Sequence, residues 1–410
     1  MKKPSVLLFF IASLSAKDQM EPPPFPDTNE YKILFDIDFS PWAGGEDLLF
    51  TTRGFERVIP KILGDIPPFK DLKLTFGRLS QMVSAWLPLN YLAVVTQHEI
   101  FGHGYRIRDL SDYAKVTGYS IGTPPPYGAG GGGTNYIIDE SGITITELCS
   151  IASAGVEATA ILANLTKFKW IKPRKIDPKQ TALYLLAQHD ISNYIGSMKI
   201  IRKHAYNPHE HDINAYLFYL NATYPASHMS SSRLRSLCWV NIIDPFTFYS
   251  IGGWFYYLAT GKSMKIPMIP LSQGVRMLFG TRLGLTPFGP ELYFENYFSA
   301  GGKCYYGYLR LGKHAHNNYD GCGAILPLST SEHWNLGLTL NIWRQPKLLL
   351  HLNSSRHSVS YGISGSLSFD YHWMDTFGGE IQFGWKTEGF LPGYSLFESP
   401  IIRGGLLLYF

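Results

Sequence analysis

Two histidines and a glutamate fall within six residues, His98-Glu99-Ile100-Phe101-Gly102-His103, at the end of a long apolar run. Imidazole nitrogens ligate zinc, and a carboxylate beside them can take a proton from water. The common zinc-peptidase pattern, H-E-x-x-H on a helix, spaces its histidines four apart so that both leave one face. Here they are five apart. On a regular helix five residues turn about 500°, which leaves the two rings about 140° apart. A local π turn, with i→i+5 hydrogen bonds, returns them to one face. Gly102 is a residue that tolerates such a distortion. A shared metal therefore predicts a π turn at 98–103, with Glu99 as general base. The competing reading is an apolar helix end with hydrogen-bonded histidines.

A third ligand is expected from the helix predicted over Thr144 to Thr166. Its middle is nearly all small: Ala152, Ser153, Ala154, Gly155, Ala158 and Ala160. Such a surface lets a second helix approach closely. Glu157 is the one acid in the middle of it, and an acid buried among alanines is costly unless something pairs it. A metal would do so, and Glu157 lies 54 residues after His103. Glu147, nearer the helix start, suits the helix dipole instead.

The hexapeptide resembles the H-E-x-x-G-H signature of the dipeptidyl-peptidase III zinc exopeptidases, a gluzincin-type family. In that family the two histidines bind zinc, the glutamate between them activates water, and a glutamate some fifty residues on completes the ligand set. The resemblance implies zinc on His98 and His103, with Glu99 as base and Glu157 as third ligand. It covers only these positions. The surroundings of Glu157, Gly-Val-Glu-Ala-Thr-Ala, differ from that family's second motif, which carries paired acids and a basic residue.

The elements that must position these groups begin with a leader. Residues 1–16, MKKPSVLLFFIASLSA, read as a secretory signal peptide: Lys2 and Lys3, then a short apolar core, then small residues. No cysteine follows for lipidation. The Pro-rich stretch 17–30 reads as a linker. Tyr31–Phe39 reads as a strand and Asp47–Thr52 as a possible second one, so 31–55 are assigned to strands. Ser80 to Arg106 reads as a buried helix kinked at Pro88. Residues 122–134, GTPPPYGAGGGGT, lack a Walker lysine and a strand–loop–helix frame, so they read as a lid or spacer rather than a phosphate loop. Helices are expected to continue over 178–203, 211–222 and 231–260. His189, His204, His209, His211, His228 or a tyrosine there could stabilise an oxyanion.

From Gly274 the period changes from 3.6 to 2. Trp334, Leu336, Leu338, Leu340 and Ile342 alternate with polar or small residues, as do Ile381, Phe383 and Trp385. Apolar–polar alternation in segments of about ten residues is the pattern of a membrane β-barrel. Aromatics make up 15% of the chain and charged residues only 17%, which suits a chain partly facing lipid. The last ten residues, IIRGGLLLYF, resemble the C-terminal insertion signal of bacterial outer-membrane proteins. The expected fold is α+β: a mainly helical zincin-like domain over 70–265 and an antiparallel transmembrane β-barrel of about ten strands over 270–410. About nine strands are counted from 272 to 410; bacterial barrels have even numbers, so either one more lies in this region or Tyr31–Phe39 closes the barrel against the C-terminal strand. Cys304 and Cys322, on neighbouring strands, could pair in an oxidising compartment.

These expectations combine into an outer-membrane-anchored zinc metallopeptidase that hydrolyses amide bonds, with its catalytic domain on the periplasmic side and outer-membrane lipid around it. Peptide or protein is the expected substrate. The net charge of +4 carries no basic block and gives no reason to expect a nucleic-acid partner. The alternative is a non-enzymatic barrel for transport or structure with an inert helical domain. A third reading, with the two longest apolar helices in the inner membrane, conflicts with the β-rich C-terminal third.

Overall fold

The computed structural model describes residues 30–409 apart from 65, 69, 202–210, 332, 351–357 and 375. The leader, most of the linker, His204, His209 and Phe410 lie outside the described residues. The chain forms a ten-stranded antiparallel sheet and a set of helices gathered against one of its faces.

Nine strands of the sheet come from the C-terminal third: β6 (Ile269–Ser272), β7 (Val275–Thr286), β8 (Gly289–Ala300), β9 (Lys303–His314), β10 (Asn317–Thr330), β11 (Trp334–Pro346), β12 (Val359–Met374), β13 (Phe377–Lys386) and β14 (Ser399–Tyr409). They form a meander in which each pairs with its sequence neighbours. The tenth, β1 (Glu30–Phe35), pairs antiparallel with β14, with Ile33 opposite Leu406 and Leu34 opposite Gly405. The expected pairing of the N-terminal and C-terminal strands is thus present. The sheet order runs from β1 to β6, and these two edges do not pair with each other.

The two faces of the sheet differ in chemistry. Because the side-chain period of a strand is two, opposed residues share a face. One face carries Phe294, Leu309, Ile342, Ile363, Phe369, Phe383, Trp385 and Ile402, all exposed. The other carries Tyr293, Glu295, Tyr297, Arg310, Trp343, Ser364, Ser366 and Arg403, all buried. The outer face is thus largely apolar and exposed, while the inner face mixes buried charged and polar groups with aromatic and apolar ones such as Leu278, Tyr297 and Leu407.

What fills the inner face is chiefly α5 (Ile145–Ile171), a 27-residue helix of about 40 Å. Thr144 and Glu147 form a capping box at its start, which is the role of Glu147. Toward its other end Lys167 is fully buried and pairs with Asp244 and with Glu295 of β8 at 2.9 Å. Asn164 donates to Glu295 at 2.8 Å and to the Tyr306 hydroxyl at 3.0 Å. Among the described residues this is the one helix long and apolar enough to cross a membrane, and 89% of its apolar window is buried inside the protein.

The motif lies on a continuous helical run over 72–109 made of α2 (Leu72–Gln81), a π turn (Met82–Trp86), α3 (Leu87–His98), a second π turn (Glu99–His103) and α4 (Gly104–Asp109). The first π turn precedes Pro88, which has no N–H for the Ser84 carbonyl. That carbonyl accepts the Tyr127 hydroxyl instead, at 2.7 Å.

Two expectations fail. Asp47–Thr52 is not a strand: it lies within α1 (Pro41–Leu63). Ser40 caps α1 through its side chain and Pro41 occupies the first turn, a start signal that outranks the short apolar run that follows. Cys304 and Cys322 are both free. Cys322 stands opposite Leu309, so Cys304 is five residues along β9, roughly 17 Å away and far beyond disulfide reach.

Candidate metal centre

The second π turn sets the two imidazoles on one face. His98 Nε2 and His103 Nε2 stand 3.1 Å apart. A regular helix could not bring them together, so the local widening anticipated from the five-residue spacing is what builds the site. Both rings are buried.

Their other nitrogens are committed. His103 Nδ1 donates to the Ile151 carbonyl of α5 at 2.8 Å. That oxygen can only accept, so Nδ1 carries the proton and Nε2 is left as a lone pair. His98 Nδ1 lies 2.8 Å from Asp190 Oδ2, at the start of α7 (Asp190–Ile201). Asp190 is itself held by the Thr159 hydroxyl at 2.9 Å. A carboxylate and a carbonyl behind two imidazoles is the arrangement that orients metal-bound histidines.

The third group is Asp212, the first residue of α8 (Asp212–Thr223). Its Oδ2 lies 2.9 Å from His98 Nε2 and 3.2 Å from His103 Nε2. Among the described residues, His98, His103 and Asp212 are the group of metal-capable side chains whose donor atoms fall within 4.8 Å of one another. Donors around a tetrahedral zinc are separated by about 3.3 Å for bonds of 2.0–2.1 Å, so the triangle of Nε2, Nε2 and Oδ2 has the right size. Two bare Nε2 lone pairs facing each other repel unless a cation or a proton lies between them, and the surroundings supply that preference. Burial alone would lower the His98 imidazole, but Asp190 and Asp212 outweigh it and hold it well above its ordinary value. Burial would raise Asp212, and the two imidazoles hold it well below the usual carboxylate range. The donor set fits a divalent cation.

Glu157, the expected third ligand, is elsewhere. It accepts from Arg106 Nη2 at 3.1 Å and from the Gly393 backbone N–H at 2.7 Å. The reason is rotational. The face of α5 that meets the motif helix carries Ile151, Gly155 and Ala158: the Ala158 carbonyl accepts from Gln97 Nε2 at 3.0 Å. Glu157 is two residues beyond Gly155, about 200° around the helix. The helix partner was foreseen correctly, but its acid bypasses the histidines and meets Arg106, one turn further along the motif helix.

Close approach of the two helices rests on glycine. A Cβ on Gly102 would stand 2.8 Å from the Ala154 carbonyl, and one on Gly155 would stand 2.1 Å from His98 Nε2. Gly155→Ala should therefore displace the imidazole, and a zinc ion held at this candidate site would bind about 10- to 100-fold more weakly, the range for disturbed ligand support. Competition titration against a chromogenic zinc chelator measures this; unchanged affinity would show that His98 does not hold its metal in this position.

Glu99 lies beside the donor triangle. It is 4% exposed, and its Oε2 accepts from Thr134 Oγ1 at 2.8 Å. Thr134 belongs to β3 (Gly132–Ile138), which pairs with β2 (Ala114–Ile121). The Gly-rich segment joining these strands runs next to the motif helix, where Gly131 N donates to the Tyr91 hydroxyl at 2.7 Å. A Cβ on Gly132 would meet Glu99 Cγ at 2.8 Å, so this strand needs glycine to pass the carboxylate.

Tyr194 of α7 stacks on His98, with ring centroids 4.8 Å apart and planes 3° apart. Its phenol is pushed up by burial and then by Asp212, Asp190 and Glu99, so it keeps its proton and remains a donor. His211 is turned toward the Ser197 hydroxyl at 3.0 Å, and His189 toward the Thr247 hydroxyl at 3.2 Å. Asp190, Tyr194 and Asp212 were not singled out in the sequence. Asp212 read as an ordinary acid at a helix start, and nothing local ties it to a motif more than a hundred residues earlier. No known protein family, curated protein or solved structure matches this chain.

Proposed function

We propose that this protein is a zinc-dependent hydrolase of amide bonds held in the outer membrane by its sheet. The observation that carries the catalytic half is the convergence of two imidazole Nε2 atoms and one carboxylate oxygen, with Glu99 in the same π turn. His98, His103 and Asp212 would hold the ion. Zinc, when bound, polarises a carbonyl and acidifies water. The protein's own groups supply the rest. Glu99 accepts a proton from the attacking water as the new C–O bond forms, and returns it to the leaving nitrogen as the C–N bond breaks. Thr134 holds that carboxylate in one orientation through the 2.8 Å hydrogen bond. The Tyr194 hydroxyl donates to Asp212 and so helps to fix that carboxylate beside the two imidazoles. Peptide is the favoured substrate because amide cleavage is what this set of groups does in zinc peptidases.

The membrane half is supported by the exposed apolar outer face of the sheet together with charged groups such as Glu295, Arg310 and Arg403 buried on the inner one. Closure into a barrel is part of this reading, with β1 and β6 as the edges that would have to meet. Two measurements test the function. The protein purified from the outer-membrane fraction should cleave fluorescein-labelled casein, lose that activity to a chelator and regain it with zinc. It should also migrate differently on gels before and after boiling. Absence of chelator-sensitive cleavage would favour the non-enzymatic alternative, and a protein soluble in the periplasm would remove the membrane half.

A further inference from the structure

We infer that the metal centre faces the outside of the cell, so that it acts on molecules met at the cell surface. This rests on the outer-membrane reading above and deepens it by naming where the substrate comes from.

The sheet has two unlike ends. At one end β6–β7 and β8–β9 are joined by tight turns at 273–274 and 301–302, and only three and two residues separate β10 from β11 and β12 from β13. At the other lie two more tight turns, 287–288 and 315–316, and two long connections, 347–358 and 387–398. Because β1 is antiparallel to β14, the chain starts β1 near the tight-turn end and leaves it heading for the broad end. The strand β6 enters the first tight turn, at 273–274. The helical part, 36–268, is thus an insertion launched toward the broad end, while β14 ends at the tight-turn end beside the start of β1. Barrels of the bacterial outer membrane place short turns in the periplasm and long connections outside.

The site belongs to the broad end. Ile151, whose carbonyl holds His103, packs with Ile107, Phe288, Leu348, Leu350, Phe390 and Leu396, and the last five lie in the connections of that end. Just past the motif, Arg106 donates to the Tyr394 carbonyl at 3.1 Å and Asp109 accepts from Leu396 N at 2.9 Å. The opposite end of α5 lies the other way: Trp170 packs with Leu278, Tyr297 and Tyr306, near the tight turns. Asp212 is the most exposed of the three ligands, with 26% of its side chain open. The strand β3, whose Thr134 holds Glu99, ends at Ile138, and Ile138 and Ile143 on either side of the exposed Glu140 pack in the same broad-end cluster. This proposal differs from the periplasmic placement expected from the sequence.

Single cysteines read the orientation directly, since the native thiols are buried or half-buried and wild type gives the baseline. Glu140→Cys marks the broad end and Gln273→Cys the tight-turn end; both positions are exposed. Intact cells are treated with a membrane-impermeant biotin maleimide, then again after the outer membrane is permeabilised. The inference expects Glu140→Cys to be labelled on intact cells and Gln273→Cys only after permeabilisation. The opposite pattern overturns it, as does labelling of both only after permeabilisation while the protein stays in the outer-membrane fraction. Recovery of the protein in the soluble periplasmic fraction would instead overturn the membrane reading on which it rests.

Discussion

Replacing Glu99 by Gln should lower the rate of amide hydrolysis by about 10²- to 10⁴-fold, the usual contribution of a positioned general base. That corresponds to about 3–5 kcal/mol of transition-state stabilisation. The substitution keeps the shape of the side chain and an oxygen that can still accept from Thr134 Oγ1. Glu99 is not one of the three converging donors, so zinc content should stay at the wild-type level. The loss should fall on kcat and leave KM close to its original value, because Glu99 acts on the proton rather than on substrate binding. Equal loss of zinc and activity would mean that Glu99 is a ligand. Full activity would remove it from the mechanism.

The second large effect is structural. Glu157→Ala should destabilise the fold by about 3 kcal/mol, the low end of the range for breaking a buried ion pair. Arg106 is fully buried and would lose one of two carboxylates, keeping Asp109 at 2.8 Å. The Gly393 N–H would lose its acceptor as well. This knot ties the motif helix and α5 to the 387–398 connection, so the cost should appear as a lower midpoint in denaturant unfolding of the detergent-solubilised protein. Replacing Arg106 and Glu157 together by leucine should cost less than the sum of the single changes, because neither member of that pair is then left without the other, although Asp109 keeps only the Leu396 N–H. Loss of zinc from folded Glu157→Ala protein would return that residue to the ligand set.

How far these assignments were legible in the sequence follows from what each depends on. The strands announced themselves by period two, and the pairing of β1 with β14 was one of two ways to complete an even count, the other being an unrecognised strand. The π turn was legible because a five-residue spacing of histidines admits one local solution. The helix that crosses the motif was legible from its small residues, since only a surface such as Gly155 allows contact at that distance. Three things were not. The rotational setting of α5 decides whether Gly155 or Glu157 faces the histidines, and a helix that is apolar nearly all round gives no stripe to fix it. Asp212 reaches the site through the tertiary packing of a helix with its own ordinary start signals. The helix α1 was obscured by the apolar Leu48-Leu49-Phe50, which reads as a strand until Ser40-Pro41 is recognised as a cap.

The central claim is that His98, His103 and Asp212, and not Glu157, hold the ion. Metal analysis of the purified protein beside Asp212→Ala and Glu157→Gln tests it most directly. The expected result is one zinc per chain in wild type and in Glu157→Gln, and a large loss in Asp212→Ala. Full zinc in Asp212→Ala, together with its loss from folded Glu157→Gln, would contradict the assignment.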